Sequence, residues 1–203
     1  MLISGSGSNL QCLIDNTNNG IINGKIGVVI SDREGIYGLE RARKSHIPSV
    51  SFNRTQISPI ELNNKILSKL KEYDIQLVVL AGYLSILSPV IIREYKNAIV
   101  NIHPSLIPSF CGPGYYGLKV HKSAIDYGVK VSGCTVHFVD EGTDTGPIII
   151  QKAVEILKDD TPEVLQKRIL EFEHELLPQA VKLICEERIQ ICGRKVIIKE
   201  EDL

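Results

Sequence analysis

No stretch of this 203-residue sequence is apolar over the roughly 20 residues that a bilayer-crossing helix needs, so a membrane span is not expected. An excess of one charge is also missing. Its 23 Lys+Arg against 24 Asp+Glu leave a formal net charge of -1, which gives no case for nucleic acid or an anionic membrane as partner. The N-terminus lacks the apolar core of a signal peptide, because Gly5, Ser6 and Gly7 interrupt it at once. Paired cysteines are lacking as well. Cys12, Cys111, Cys134, Cys185 and Cys192 are scattered, odd in number and never spaced C-x-x-C, which argues against a disulfide framework and against a zinc site. A reducing cytoplasm is the expected location. There is no internal repeat, low-complexity run or linker, and 43% hydrophobic with 23% charged residues suits one domain over 1–203 with a sizeable core.

What is present alternates. Leu2-Ile3, Ile26 to Ile30, Pro48 to Phe52, Leu77 to Leu80 and Ile99 to Ile102 read as strands. Helical patterns lie between them, after Asn9, over Leu39 to Lys44, over Leu62 to Leu70 and through Val90-Ile91-Ile92. Continuously apolar strands alternating with helices predict a parallel sheet covered on both faces. After about residue 100 the rhythm changes. Leu118 to Tyr127 looks helical, Val129 to Val131 and Cys134 to Val139 read as strand residues, and Ile148 to Ile150 resumes a strand, which predicts an antiparallel edge. Thr161-Pro162-Glu163 opens a long helix to about Glu187, adjusted at Pro178, and a terminal hairpin follows over Ile189 to Ile198.

Asn101-Ile102-His103-Pro104 leaves the fifth strand, and residues two apart on a strand face the same side. Pro104 favours extended geometry in His103. An amide and an imidazole are therefore expected to point together beyond the strand end. A lone histidine is usually structural or solvent-facing, and His46, His121, His137 and His174 are read that way. Asp144, in the loop Thr143 to Pro147, is either an ordinary turn aspartate or a carboxylate folded back on His103. A metal held by His103, His137 and Asp144 is possible in ligand type but has no short ligand spacing behind it. Ser4-Gly5-Ser6-Gly7-Ser8-Asn9 joins a strand to a helix, where backbone N–H groups gather around an anion. Its bland reading is a tight turn. Asp32 imitates the ribose-binding acid of a dinucleotide site, but Leu10 stands where the third glycine would be, so a terminal phosphate suits the loop better than a dinucleotide. Leu84 to Leu87, just past the fourth strand, is either core or the wall of a ligand crevice.

Four motifs occur in order: Ser4 to Leu10; Leu80-Ala81-Gly82-Tyr83 with Ile86-Leu87-Ser88-Pro89; Asn101 to Pro108; and Val136 to Val139 with Asp144 to Pro147. Across nearly the whole chain they resemble the phosphoribosylglycinamide formyltransferase family of folate-dependent enzymes. The resemblance implies an α/β, Rossmann-like formyltransferase fold: a mostly parallel sheet with an antiparallel edge and helices on both faces. It implies a phosphate-binding half over about 1–100 and a folate and catalytic half over about 101–203. It also implies small-molecule substrates, with formyl transfer from 10-formyltetrahydrofolate, as cosubstrate and without a metal, to the amine of glycinamide ribonucleotide in purine synthesis. Gly7, Ser8, Asn9 and Glu173 would then hold the ribonucleotide. Leu84, Ser85, Ile86, Leu87, Ile92, Asn101, Asp140, Glu141, Gly142 and Thr143 would line the folate site, and Asn101, His103 and Asp144 match the catalytic trio.

Chemistry agrees with that trio. Negative charge develops on the formyl oxygen as the amine attacks, and the Asn101 amide with a protonated His103 would stabilise it. Asp144 is expected to raise the His103 pKa and keep that donor populated near neutral pH. Two departures stand out. Only Met1-Leu2-Ile3 precede the glycine loop, where the family has several more apolar residues. Ser58 to Glu61 also carry no arginine where the family commonly places one for the folate, with Arg54 as the substitute. The loop Phe110 to Gly117 is longer than in some members. Formyltetrahydrofolate hydrolase and a catalytically silent nucleotide-binding module are the alternative readings. Methionyl-tRNA formyltransferase shares the Asn-x-His segment but carries a further C-terminal domain.

Overall fold

The computed structural model describes residues 1–200; residues 201–203, which the single-domain reading includes, lie outside the described residues. In chain order the elements are β1 (Leu2–Ile3), α1 (Ser8–Asn18), β2 (Val29–Ser31), α2 (Tyr37–Lys44), β3 (Ser49–Ser51), α3 (Pro59–Glu72), β4 (Val78–Ala81), α4 (Pro89–Glu94) and β5 (Ile99–His103). They continue with α5 (Leu118–Tyr127), β6 (Val131–Phe138), β7 (Ile148–Glu155), α6 (Pro162–Cys185) and the hairpin β8 (Ile189–Cys192) and β9 (Lys195–Ile198). Two helix starts follow directly from local chemistry. Ser58 and Thr161 accept from the backbone N–H of Glu61 (3.2 Å) and Val164 (3.3 Å), and a proline occupies the first turn of each helix.

Seven strands form one sheet in the order β3-β2-β1-β4-β5-β6-β7. β1 to β5 run parallel and β6 and β7 antiparallel, the mostly parallel sheet with an antiparallel edge that the sequence implies. The strand order reverses at β1, whose neighbours are β2 and β4. A crevice beyond the carboxyl ends of the strands at such a switch point is where open α/β sheets bind ligands. Alternation along each strand divides the core. Ile3, Val29, Val79 and Val100 pack with Leu10, Leu13, Ile169 and Leu177 of α1 and α6, while Leu2, Ile30, Val78 and Ile99 pack with Leu62, Ile66, Leu70 and Ile91 of α3 and α4. Among the described residues no helix is long and apolar enough to cross a membrane.

Three of the boundaries that differ from the sequence reading concern β2, β6 and α6. β2 begins at Val29 rather than Ile26, because its ladder is set by its neighbours through Leu2↔Ile30 and Val29↔Ser49. The two strand runs on either side of Ser132-Gly133 are a single strand, β6. Gly133 sits inside it because β7 comes so close that an added Cβ would lie 2.0 Å from the Lys152 carbonyl oxygen. Gly133→Ala should therefore lower the unfolding free energy by about 1–3 kcal/mol in a urea titration, as overpacking does. The long helix α6 ends at Cys185 rather than Glu187, which has a φ of 54°.

Candidate active site

The register between β5 and β6 builds the centre of the site. Asn101 lies opposite His137, and His103 lies opposite Thr135. Side chains directly across an antiparallel pair are neighbours, so an amide and an imidazole meet face to face. His137 Nδ1 donates to the Phe138 carbonyl oxygen at 2.8 Å, which leaves Nε2 to accept from Asn101 Nδ2 at 3.2 Å. The second Asn101 amide hydrogen faces Asp144 Oδ1 at 3.4 Å. With acceptors on both sides, the amide is oriented with its NH2 inward.

Asp144 reaches the strand from the β6–β7 loop, at a φ of 58°. Its Oδ2 accepts from Gly112 N–H at 2.9 Å and lies 3.6 Å from His103 Nδ1, and its Oδ1 lies 3.6 Å from His137 Nε2. The carboxylate folded back on His103, one of the two sequence readings, is thus the one the structure adopts. Burial alone would raise the Asp144 carboxyl, but His137, His103 and the Gly112 N–H outweigh it and hold the pKa below the usual carboxylate range.

His103 does not follow the expected direction. Burial pushes its pKa below the ordinary value, and Asp144 and the Phe110 carbonyl pull it only part of the way back. The residue is 4% exposed, and Nε2 donates to the Phe110 carbonyl oxygen at 3.0 Å. At neutral pH the ring is therefore neutral, with its basic Nδ1 turned toward Asp144. The expectation of a standing imidazolium is corrected: a carboxylate 3.6 Å away does not compensate for so much lost water.

The backbone under His103 is tied down by one hydroxyl. Thr135 Oγ1 donates to the Ser105 carbonyl oxygen at 2.7 Å and accepts from Ile107 N at 3.2 Å and from Gln151 Nε2 at 2.9 Å.

Above the trio opens a cavity of about 320 Å³. Leu84, Ser85, Ile86, Leu87, Ile92 and Asn101 line it, as do Asp140, Glu141, Gly142 and Thr143. The sequence reading had not included two further parts of its wall, Tyr83 and the loop Gly112 to Gly117. Arg54 does not line it. Its guanidinium faces the buried Asp32 at 3.4 Å.

A second constellation adjoins the first at the switch point. Gly7 caps α1 at a φ of 72°, and a Cβ there would lie 2.7 Å from Gly38 Cα, so the loop packs directly on the start of α2. No side chain caps α1, so the first-turn N–H groups at Ser8 and Asn9 have no capping side chain to accept from them. Asn9 Nδ2 donates to Glu173 Oε2 at 2.8 Å, joining α1 to α6. Burial pushes the Glu173 carboxyl up to about 7, partly offset by the Asn9 bond. Because the folded-state pKa is the raised one, the stability linked to this proton is complete below the ordinary value of 4.5 and is lost as pH rises through about 7. Glu173→Gln should match the wild type in urea denaturation near pH 4.5 and exceed it at pH 8, by up to about 3 kcal/mol.

His137 is the functional-looking residue that the sequence reading set aside as structural. A signal existed, since Val136-His137-Phe138 alternates in register with Asn101 and His103, but pairing between two strands 36 residues apart is not visible in one sequence. Among the described residues, no three His, Cys, Asp or Glu side chains group as ligands of a metal ion would.

A family profile described as formyl transferase matches residues 1–181. A chloroplastic phosphoribosylglycinamide formyltransferase of Vigna unguiculata is 40% identical over 93% of this chain and 61% of its own length. The chain spans less than two thirds of the first curated relatives it matches. The crystal structure of glycinamide ribonucleotide transformylase 1 from Symbiobacterium toebii superposes with a TM-score of 0.92 at 44% identity, over 98% of this chain and 92% of that one. A formyltetrahydrofolate deformylase from Pseudomonas syringae pv. tomato superposes with a TM-score of 0.87 at 27% identity, over 98% of this chain and 65% of that one.

Proposed function

The chain belongs to the formyl transferase family, and from that premise we propose that it moves the formyl group of 10-formyltetrahydrofolate to the amine of glycinamide ribonucleotide, a step of purine biosynthesis. One observation carries the reading. Asn101, His103 and Asp144 meet at the cavity that also takes in Leu84 to Leu87, and the glycine loop is tied to that cavity by the 2.9 Å bond from Leu84 N to Ser4 Oγ, with Asn9 of the same loop joined to Glu173. The cavity walls at Leu84, Ile86, Leu87 and Ile92 suit a flat heteroaromatic ring, and the polar rim from Asp140 to Asp144 offers it hydrogen-bonding partners. On the other side, the N–H groups at Ser8 and Asn9 suit a phosphate monoester, and Glu173 suits the neutral polar part of the same ribonucleotide.

In this assignment the substrate amine attacks the formyl carbon, and the carbonyl π electrons move onto oxygen. The Asn101 N–H now held loosely by Asp144 turns to that oxygen and stabilises it. His103 Nδ1, neutral at rest, takes the proton that the attacking amine must lose. Asp144, ionised at neutral pH, stabilises the imidazolium so formed. The same proton passes to the folate nitrogen as the bond from that nitrogen to the formyl carbon breaks. The imidazole returns to its starting form, and formylated ribonucleotide and tetrahydrofolate leave. We place the reaction in the cytoplasm, on the free thiols of its five cysteines.

A second reading has one observation behind it. A formyltetrahydrofolate deformylase superposes on 98% of this chain with a TM-score of 0.87 at 27% identity, and in such a reaction a water held by the ionised Asp144 would replace the amine as nucleophile. Purified protein mixed with 10-formyltetrahydrofolate separates the cases by its rate with and without glycinamide ribonucleotide. We expect release of tetrahydrofolate only when the ribonucleotide is present. Equal rates without it would establish the hydrolase, and ribonucleotide binding without turnover would establish a silent module.

A further inference from the structure

One carboxylate that this chemistry does not use is fully buried at the end of β2. Asp32 has no exposed surface. Its Oδ2 accepts a 2.6 Å hydrogen bond from the Ser85 hydroxyl and faces Arg54 at 3.4 Å, while its Oδ1 has no partner. Burying a carboxylate is costly, so the question is what the shortest of its contacts accomplishes. Holding β2 to β3 is not the answer, because backbone bonds already do that: Phe52 N to the Ser31 carbonyl at 2.8 Å and Arg54 N to the Asp32 carbonyl at 3.0 Å. Ser85 lies 53 residues away, in the loop between β4 and α4 whose side chains wall the cavity.

That loop is held from three directions. Leu84 N donates to Ser4 Oγ at 2.9 Å. Ser88 N donates to Asn63 Oδ1 at 2.7 Å, and Asn63 Nδ2 donates to the Ile86 carbonyl at 3.3 Å. Between these ties, the Ser85 side chain is drawn toward the sheet by Asp32, while Ile86 stands 80% exposed at the cavity. A loop carrying an apolar wall keeps its shape only if its polar groups are satisfied away from the ligand.

We propose that Asp32 is a positioning residue for the folate cosubstrate: acting through Ser85, it fixes the wall Leu84 to Leu87 in the conformation that receives the ring. This rests on the folate reading of the cavity. Removing either partner of a charge-assisted bond loosens the wall before the ligand arrives, and the cost falls on binding rather than on the reacting atoms.

The test is steady-state kinetics of the full chain with both substrates varied. Asp32→Ala and Ser85→Ala should each raise KM for 10-formyltetrahydrofolate about tenfold, as loss of one such bond does. KM for the ribonucleotide should stay put, and kcat of Asp32→Ala should stay within about twofold of wild type. Asp32→Asn keeps an oxygen that accepts from Ser85 and should recover most of the affinity. The double variant should be no worse than either single one, because both remove the same bond. Additive losses in the double variant, an unchanged folate KM in Ser85→Ala, or kcat and both KM values moving together in Asp32→Ala would each overturn the proposal. Ser85→Ala leaves the buried charge paired with Arg54, so it carries the test even if Asp32→Ala does not fold. A wild-type chain that turns over formyl-folate while these variants leave its KM flat overturns the positioning role alone. A wild-type chain with no such turnover overturns the functional reading and this role together.

Discussion

Asn101→Ala lowers kcat by about 10²–10³ while leaving the KM of both substrates nearly unchanged, the signature of a donor used only as charge develops. The structure makes this residue hard to replace. Its amide is set by an acceptor on each side, His137 Nε2 at 3.2 Å and Asp144 Oδ1 at 3.4 Å, and its backbone lies inside the sheet between β4 and β6. The longer of the two bonds is the one the reaction uses, so the donor is oriented beforehand but weakly engaged. Asn101→Asp is the sharper variant, because it keeps the shape and replaces the donor with a second carboxylate beside Asp144. It should be no faster than the alanine variant. Rates within about threefold of wild type for either variant would remove Asn101 from the oxyanion role.

The second large effect is expected at Asp144. Asp144→Asn removes the counter-charge of the imidazolium that forms on His103, and kcat should fall by about 10²–10⁴, the range a positioned acid–base pair supplies. The sign of the accompanying pH effect follows from the folded protein. Asp144 favours protonated His103, and burial opposes it more strongly. Without the carboxylate, burial acts alone and the His103 pKa falls further. In proton NMR, the ring signal missing from His103→Gln should titrate below the ordinary histidine value of 6.5 in the wild type, and lower still in Asp144→Asn. A ring that titrates at the same pH in both proteins would show that Asp144 is a turn residue with no electrostatic hold on His103.

The sequence exposed this fold where a signal was local. Ser58-Pro59 and Thr161-Pro162 announce their helices, because cap and first turn are made by neighbours in the chain. Strand alternation announced which of Asn101 and Ile102 shares a face with His103. It could not announce β2, whose limits are set by partners in β1 and β3, nor the unity of β6, where Gly133 looks like a break and is in fact a close approach. The same divide runs through the site. Asn101 and His103 come from one short segment and were legible. His137 enters through cross-strand register, and Asp32 and Asn63 enter through hydrogen bonds to a loop more than 20 residues away. The charge state of His103 depends on how much water the whole fold removes, and no sequence spacing encodes that.

The placement of Asn101 and His103 on β5 has a consequence for motion. β5 is hydrogen-bonded on both sides, by β4 and by β6, so its amides can exchange with solvent only when the sheet itself comes apart. Two segments that complete the cavity, Gly112 to Gly117 and Asp140 to Thr143, are connecting loops outside the strand ladder and are expected to open at far lower free energy. Hydrogen–deuterium exchange should therefore divide this single site into two populations, hours apart in rate. The groups that meet the reacting atoms are as durable as the protein, and the surfaces that admit and release its ligands are not.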